Sequence, residues 1–240
     1  MCTFIHKSIV ALAIAATLSA ATASSQGTGA KTAVAKDSYY MILFAFDSTP
    51  RAPQLAHVFA VFVKAQGDGM SAQINEAYPI SWSTARPNLR LLIVKRPDPG
   101  VNLDLPATFR LSAALNTQVT AFGPYQIRKE LFDRAAAQYR RLNAGELAYK
   151  MLDGGTRLNG AVNCIHAVSD IAPGPLLNTG TAYGMDAAAM VRSHMAPWIV
   201  DNGPSHAWLV DRLGLRQEPI AFVNEQPETA PAPGRATQER

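Results

Sequence analysis

The chain has 240 residues, of which 48% are hydrophobic, so it is too apolar for an intrinsically disordered protein and long enough for one sizeable domain. Its formal net charge of +4 is small, and the basic residues are scattered along the sequence. Dense Lys/Arg runs and interleaved basic and aromatic residues are both missing, so no nucleic-acid partner is expected.

The first residues have the features of a secretory signal. Lys7 provides a positive start, the stretch 8–18 is apolar but too short to span a bilayer, and Ala21-Thr22-Ala23 has the small-x-small pattern of a cleavage site. A membrane anchor is the alternative, but no later run of 18 apolar residues supports it. We therefore expect an exported protein, periplasmic or secreted, without a transmembrane anchor after cleavage.

Composition divides the chain into four segments. The stretch after the signal is small, polar and aperiodic, and the end of the chain is rich in proline, alanine and charge, so both are predicted to be disordered. The expected boundaries are a signal peptide at 1–23, a lead-in at 24–37, a single domain at 38–224 and a tail at 225–240.

The first hundred residues contain apolar runs of strand length, separated by turn signals. Short turns between consecutive strands favour an antiparallel meander. The predicted strands are Tyr39–Phe46, Leu55–Lys64, Glu76–Thr84 and Leu89–Lys95, followed by a turn at Pro97–Gly100.

The predicted strand Leu55–Lys64 is apolar on both of its faces. Alternate residues point to opposite sides of a strand, and here each side carries aliphatic and aromatic residues. Such a strand is expected at the centre of a sheet that is covered on both faces. His57 is its one polar side chain before Lys64, and a buried imidazole requires a hydrogen-bond partner whether it is a core residue or a functional one.

The second half of the chain is mainly helical in pattern, which gives an α+β fold. The longest predicted helix, Tyr125–Asn143, has Pro124 at its start and Gly145 near its end. Its arginines and lysine indicate a solvated face, or alternatively a patch for anionic polymers or lipid headgroups. The other predicted elements are helices at Thr108–Asn116, Met185–Met195 and Ser205–Leu213, and a strand at Leu147–Leu152.

Cys164 is the strongest candidate for a reactive residue. Cys2 would leave with the signal, so the mature chain would retain one thiol and no disulfide partner for it. Asn163 is a favourable N-cap residue, which makes Cys164 the first residue of a predicted helix. A helix N-terminus lowers the pKa of a thiol and offers free N–H groups that could stabilise an oxyanion.

The general base for this thiol has to come from elsewhere in the chain. His166 is two residues away, which on a helix corresponds to about 200° of rotation and places it on the other side. His57, His194 and His206 remain, and His57 is favoured because a central strand would hold the imidazole rigidly. The next predicted strand supplies candidates to orient it, namely Ser81, Ser83 and Glu76.

Two other interpretations of Cys164 compete with the nucleophile. Cys164, Ala167, Val168 and Ile171 have the i, i+3, i+4, i+7 spacing of a buried core face, as an inert cysteine would. A metal site with His166 lacks zinc-ligand spacing, and the absence of C-x-x-C-H excludes a c-type haem. We therefore predict neither a metal nor a cofactor.

Two segments of the chain resemble a known enzyme group. Asn163-Cys164-Ile165-His166-Ala167-Val168 resembles the Asn-Cys-x-His-Phe-Val segment of lecithin:retinol-acyltransferase-like proteins. The order of parts is similar to that of circularly permuted papain-like thiol enzymes, relatives of cell-wall peptidases, and Leu55–Val61 matches their histidine-bearing strand. The resemblance covers residues 39–171 and implies an antiparallel sheet with packed helices in a permuted papain-like core. The group commonly has a histidine as its third polar residue, whereas the corresponding strand here offers Tyr78, Ser81 and Ser83.

The resemblance and the residues together predict an exported thiol hydrolase or acyl transferase that acts on amide or ester bonds. Cys164 is the predicted nucleophile, His57 the base and Ser81 the residue that holds the imidazole. Asn163 and Trp82 are the predicted binding residues, and the export signal makes an envelope peptide or lipid the expected substrate. The alternative is a non-catalytic envelope binding or scaffold protein with the same fold and a buried cysteine.

Overall fold

A long antiparallel hairpin forms the centre of the fold. Its strands are β1 (Asp37–Ser48) and β2 (His57–Gln66), and most of their residues are buried while none is exposed. The structure, a computed structural model, describes residues 36–52, 55–67, 69–85, 97–151, 160–201 and 206–223. These residues all belong to one compact unit.

The remaining elements of the described residues mix short strands with helices. In chain order they are β3 (Gln73–Ile80), β4 (Trp82–Thr84), β5 (Asp98–Asn102), α1 (Leu105–Ala114), β6 (Thr117–Ile127), α2 (Lys129–Asn143), β7 (Ala148–Tyr149), β8 (Ala161–Val162), α3 (Cys164–Ser169), α4 (Gly184–Met195), β9 (Ile199–Asp201), α5 (Trp208–Arg212) and β10 (Ile220–Phe222). Short 3-10 turns occur at Gly69–Ser71, Ala196–Trp198 and Leu215–Gln217. The fold is therefore α+β, as the sequence predicts.

The strands form two sheets. The main sheet has the order β10-β6-β1-β2-β3, with β9 paired to β6, and only its β10–β6 pair is parallel. The smaller sheet has the order β4-β5-β7-β8. The β1-β2-β3 part of the main sheet is the predicted antiparallel meander.

Helices cover both faces of the main sheet. One face, called here the α3 face, packs side chains such as Val58 and Ala60 against α2, α3 and α4. The opposite α1 face packs side chains such as Phe59 and Val61 against α1 and α5. The prediction that the second strand is central and covered on both sides is confirmed, because β2 lies between β1 and β3 and contributes to both apolar layers.

Three expectations about strands need correction. The predicted third strand is divided into β3 and β4 at Ser81, and the two parts belong to different sheets. Pro97–Gly100 is not a turn, because β5 pairs there with β4 and β7. β1 begins at Asp37, inside the predicted lead-in, and the predicted strand Leu89–Lys95 lies outside the described residues.

The predicted helix Tyr125–Asn143 is wrong in its first part. Tyr125 and Ile127 belong to β6, and the helix begins only at Lys129. Pro124 is tolerated in this strand because the register between β1 and β6 shifts there, pairing Met41 with Tyr125 and Leu43 with Phe122. A residue in such a bulge does not have to donate a ladder hydrogen bond.

The other predicted elements are present with different limits. The first helix begins at Leu105, where the Asp104 side chain accepts a hydrogen bond from Ala107 N–H at 2.7 Å and caps it. The predicted strand Leu147–Leu152 shortens to β7, and the last predicted helix shortens to α5. The predicted signal peptide and tail lie outside the described residues.

Candidate active site

Cys164 is the first residue of α3, as predicted. Asn163 precedes the helix in an extended conformation, and its side-chain oxygen accepts a hydrogen bond from His166 N–H at 2.8 Å. This satisfies one of the free N–H groups of the first turn, which is the function of an N-cap. The prediction of the cap and of the helix start is therefore confirmed.

The Cys164 side chain is buried in the apolar layer of the α3 face. It is 9% exposed and belongs to the same cluster as Val58, Ala60 and Trp82. Cys164, Ala167, Val168 and Ile171 all lie in this cluster, as the inert-core interpretation predicts. The side chain at the start of α3 is therefore part of this apolar layer.

Tyr149 is the ionisable neighbour of Cys164. Its pKa is raised, first because the phenol is buried and second because a negative charge on Cys164 would repel the phenolate. Two acidic groups of this kind disfavour each other's ionisation. Tyr149 was not predicted from the sequence, since its strand, β7, is only two residues long.

His57 lies on the α1 face. Its ring contacts Phe46 and Phe59, with centroid separations of 5.2 and 5.7 Å, and both phenylalanines belong to the α1-face cluster. Burial lowers the pKa of His57 from its ordinary value of 6.5 to about 4. The imidazole is therefore neutral at neutral pH.

His57 forms the predicted contact with Ser81. The His57 Nε2 atom lies 2.9 Å from Ser81 Oγ, and Thr108 Oγ1 lies 2.8 Å from the same Ser81 oxygen and also donates to the Asp104 carbonyl oxygen at 2.8 Å. The Asn102 side chain accepts from Ser81 N–H at 2.9 Å and donates to Pro79 O, which holds this backbone in place.

The predicted pairing of Cys164 with His57 is not assembled. His57 points to the same face of β2 as Phe59, two residues later, and pairs with Phe46 of β1. Helix α3 packs against the opposite face of β2, which carries Val58 and Ala60. The physical reason is the two-residue period of a strand, which sends adjacent side chains to opposite faces. The nucleophile and the base of the hypothesis therefore lie in different apolar layers.

The two predicted binding residues offer little surface. Trp82 is fully buried in the α3-face cluster, and its ring fills the space where a Cβ at Gly100 would lie. Its indole N–H has no hydrogen-bond partner among the described residues. Asn163 is 8% exposed and is engaged as the cap of α3.

His166 contacts the segment that follows α3. It is 5% exposed, and its Nε2 atom lies 2.8 Å from the carbonyl oxygen of Leu177. This contact holds the segment after α3 against the helix. Thr108 and Asn102 are further polar residues of the His57 region that the sequence analysis did not select, since each lies in a stretch without a recognisable motif.

Within the described ranges, no three or more His, Cys, Asp or Glu side chains converge as a metal site would require. None of the helices in those ranges combines the length and the apolar character needed to cross a bilayer.

Comparison with known proteins gave no relative. No protein-family model matches the chain, and neither a curated protein nor a solved structure is significantly similar to it.

Proposed function

We propose that this protein is a non-catalytic binding or scaffold protein of the cell envelope, built on an α+β fold with a buried cysteine. The observation that carries the proposal is the separation of Cys164 and His57 by the main sheet. Thiol catalysis requires a base within hydrogen-bond reach of the sulfur, directly or through one water. The export signal that the sequence predicts supports the envelope location and an envelope peptide or lipid as the partner.

The burial of both residues supports this proposal. Cys164 is buried as a member of the α3-face apolar cluster, and two phenyl rings lie beside the His57 imidazole. The hydrogen bond to Ser81 satisfies the polar requirement of a buried histidine. The segments that resemble thiol enzymes would then contribute to the folded core without taking part in catalysis.

A thiol hydrolase or acyl transferase with a permuted papain-like core is the second candidate. Two observations favour it: Cys164 begins a capped helix, and Ser81 contacts His57 as the hypothesis requires. In that case Cys164 would attack an amide or ester carbonyl, and His57 would accept its proton. The enzyme would have to bring both side chains to one face of the sheet.

The reactivity of the thiol distinguishes the two candidates. The experiment measures the rate at which iodoacetamide alkylates the native full-length chain at several pH values, in a Cys2→Ser background so that Cys164 is the reporter. The comparison variant is His57→Gln, and the denatured chain gives the rate of an accessible thiol. The proposal predicts slow alkylation at pH 6 that is the same in both proteins and much faster after denaturation.

The thiol-enzyme candidate predicts the opposite result in this experiment. Rapid alkylation of the native protein at pH 6, which is lost in His57→Gln, would require a thiolate stabilised by the imidazole. That result would exclude the binding proposal in its non-catalytic form and establish the second candidate.

A further inference from the structure

A cleft of about 280 Å³ opens between α2 and the ends of β1, β2 and β3. It lies on the α3 face of the sheet, at the ends of the strands that carry Tyr39 and Lys64. We call it the α2 cleft, and it is lined by Tyr39, Lys64, Glu76, Tyr78, Lys129, Phe132, Asp133, Ala136 and Arg140.

Aromatic rings form one side of the α2 cleft. Phe132 lies between Tyr39 and Tyr78, with ring-centroid separations of 5.1 and 5.5 Å, and Tyr139 continues the row at 5.2 Å from Tyr78. Tyr39 and Tyr78 are half-buried, so part of each ring faces the solvent. Such rings offer an apolar surface on which another ring can pack.

Among the described residues, all charged side chains that line the α2 cleft except one have a charged or hydrogen-bonding partner. Tyr78 donates a hydrogen bond to Glu76, and Lys64 lies 3.4 Å from the same carboxylate. Lys129 lies 2.6 Å from Asp133. Both carboxylates of the lining therefore already have cationic or hydrogen-bonding partners.

Arg140 is the cation that remains. Its guanidinium makes no hydrogen bond or ion pair with any residue in the described part of the chain, and the side chain is exposed. Its charge reaches the Tyr78 phenol, where it opposes the rise in pKa that the hydrogen bond to Glu76 causes. A guanidinium beside an aromatic wall can bind a carboxylate or a phosphate through two parallel hydrogen bonds.

We infer that the α2 cleft binds a small ligand made of one ring and one anionic group, either a carboxylate or a phosphate. The ring packs on the exposed parts of Tyr39 and Tyr78, which the buried Phe132 supports from the core side, and the anion is bound by Arg140. The volume of about 280 Å³ lies just below the range of about 300–1,000 Å³ typical of sites for drug-sized molecules, which suits a smaller ligand of one ring and one anionic group. The inference rests on the proposed binding function, and it adds a small-molecule site to the envelope peptide or lipid partner named there.

Calorimetric titration of the full-length chain with phenyl phosphate and with benzoate tests the inference. Inorganic phosphate provides the anion without the ring, and phenol provides the ring without the anion. We expect saturable binding of at least one ring-bearing anion, at least tenfold tighter than binding of inorganic phosphate or phenol. Arg140→Gln should weaken that binding by about tenfold or more, as expected for loss of a charged hydrogen-bond partner.

The matched control is Arg141→Gln. Arg141 is the next residue of α2, but it lies outside the cleft and contacts Glu146 and Gln138 instead. We expect its titration to equal that of the unsubstituted protein. Equal weakening in both variants would mean that the basic face of α2 attracts anions in general, and would overturn the inference.

Two further outcomes would also overturn it. These are the absence of saturable binding of either ring-bearing anion, and binding of inorganic phosphate as tight as that of phenyl phosphate. Thiol alkylation does not report on the α2 cleft, so either result would leave the test of the non-catalytic function standing. Conversely, a reactive Cys164 would overturn that function without changing the titration.

Discussion

The surroundings of His57 limit the protonation of its imidazole. The rings of Phe46 and Phe59 contact the His57 imidazole. The Nε2 atom of His57 forms a hydrogen bond with the Ser81 hydroxyl, which also contacts Thr108. Because burial penalises the imidazolium, a proton that His57 accepts costs the folded protein free energy. The residue is therefore suited to be a neutral member of the core.

We expect this burial to make the stability of the protein depend on pH. The pKa of His57 is about 4 in the folded state and close to 6.5 when the chain is unfolded, so the unfolded state binds the proton more readily between these values. The free energy of unfolding should then fall by on the order of 3 kcal/mol as the pH falls from about 6.5 to about 4. Urea unfolding at several pH values measures it.

The variant His57→Gln isolates this contribution. Glutamine retains a hydrogen-bonding side chain without titrating, so the difference in stability between the two proteins should change across this pH window. Ser81→Ala is the control, because it removes the contact and retains the imidazole, and it should keep the pH dependence. A difference between the original protein and His57→Gln that stays constant with pH would show that burial does not affect the ionisation of His57.

At the scale of single elements, α4 depends on a cap supplied by another part of the chain. Tyr183 precedes the helix without a side-chain hydrogen bond, but the Asp47 carboxylate accepts from Met185 N–H at 2.9 Å. Gly184 leaves room for this carboxylate, since a Cβ there would lie 1.7 Å from the second oxygen of Asp47. The end of β1 and the start of α4 are thereby joined.

We predict that Asp47→Ala lowers the free energy of unfolding by about 1–2 kcal/mol, because the first turn of α4 loses an acceptor and a favourable negative charge. Asp47→Asn should cost less, since the amide oxygen still accepts. Urea unfolding measures both. Asp186→Ala is the control, because this first-turn carboxylate is exposed and pairs only with Arg51 in the described residues; its loss should cost a few tenths of a kcal/mol. Equal costs for Asp47→Ala and Asp186→Ala would contradict the capping role.

The elements that the sequence predicts correctly are those in which one local signal dominates. Asn163 before an apolar stretch predicts the start of α3, and the continuous apolar run of β1 predicts a buried strand. The sequence predicts the last residues of β6 as helix, because the apolar stripe of α2 extends back to Ile127 and Pro124 is typical of a helix start. The strand structure of β6 depends on pairing with β1 and on a bulge, which are long-range contacts that no local pattern contains.

At the scale of the whole molecule, the interpretation of the candidate site depends on which face of the main sheet carries Cys164 and which carries His57. The sequence predicts that β2 is covered on both sides and which residues share a side. Which helix covers which side depends on the path of the chain after β6, and no periodicity encodes that path. Selecting His57 and Cys164 by residue type was therefore possible, whereas placing them in opposite layers required the assembled sheet.

This arrangement predicts how substitutions at the two residues combine. Substitutions at sites without shared partners usually add to within about 0.3–0.5 kcal/mol, whereas residues in contact show coupling energies of about 0.5–3 kcal/mol. His57→Ala and Cys164→Ala should therefore be additive in their effects on the free energy of unfolding. His57→Ala and Ser81→Ala should be coupled, since their side chains share a buried hydrogen bond of 2.9 Å.

Urea unfolding of the single and double variants at pH 7, where His57 is neutral, measures both cycles under the same conditions. The Ser81 cycle serves as the positive control, because it shows that the method detects a contact made by this imidazole. A coupling energy above about 1 kcal/mol in the Cys164 cycle would mean that sulfur and imidazole interact, and would contradict their separation by the sheet. Additivity there, with coupling to Ser81, would leave Cys164 without the base that thiol catalysis needs.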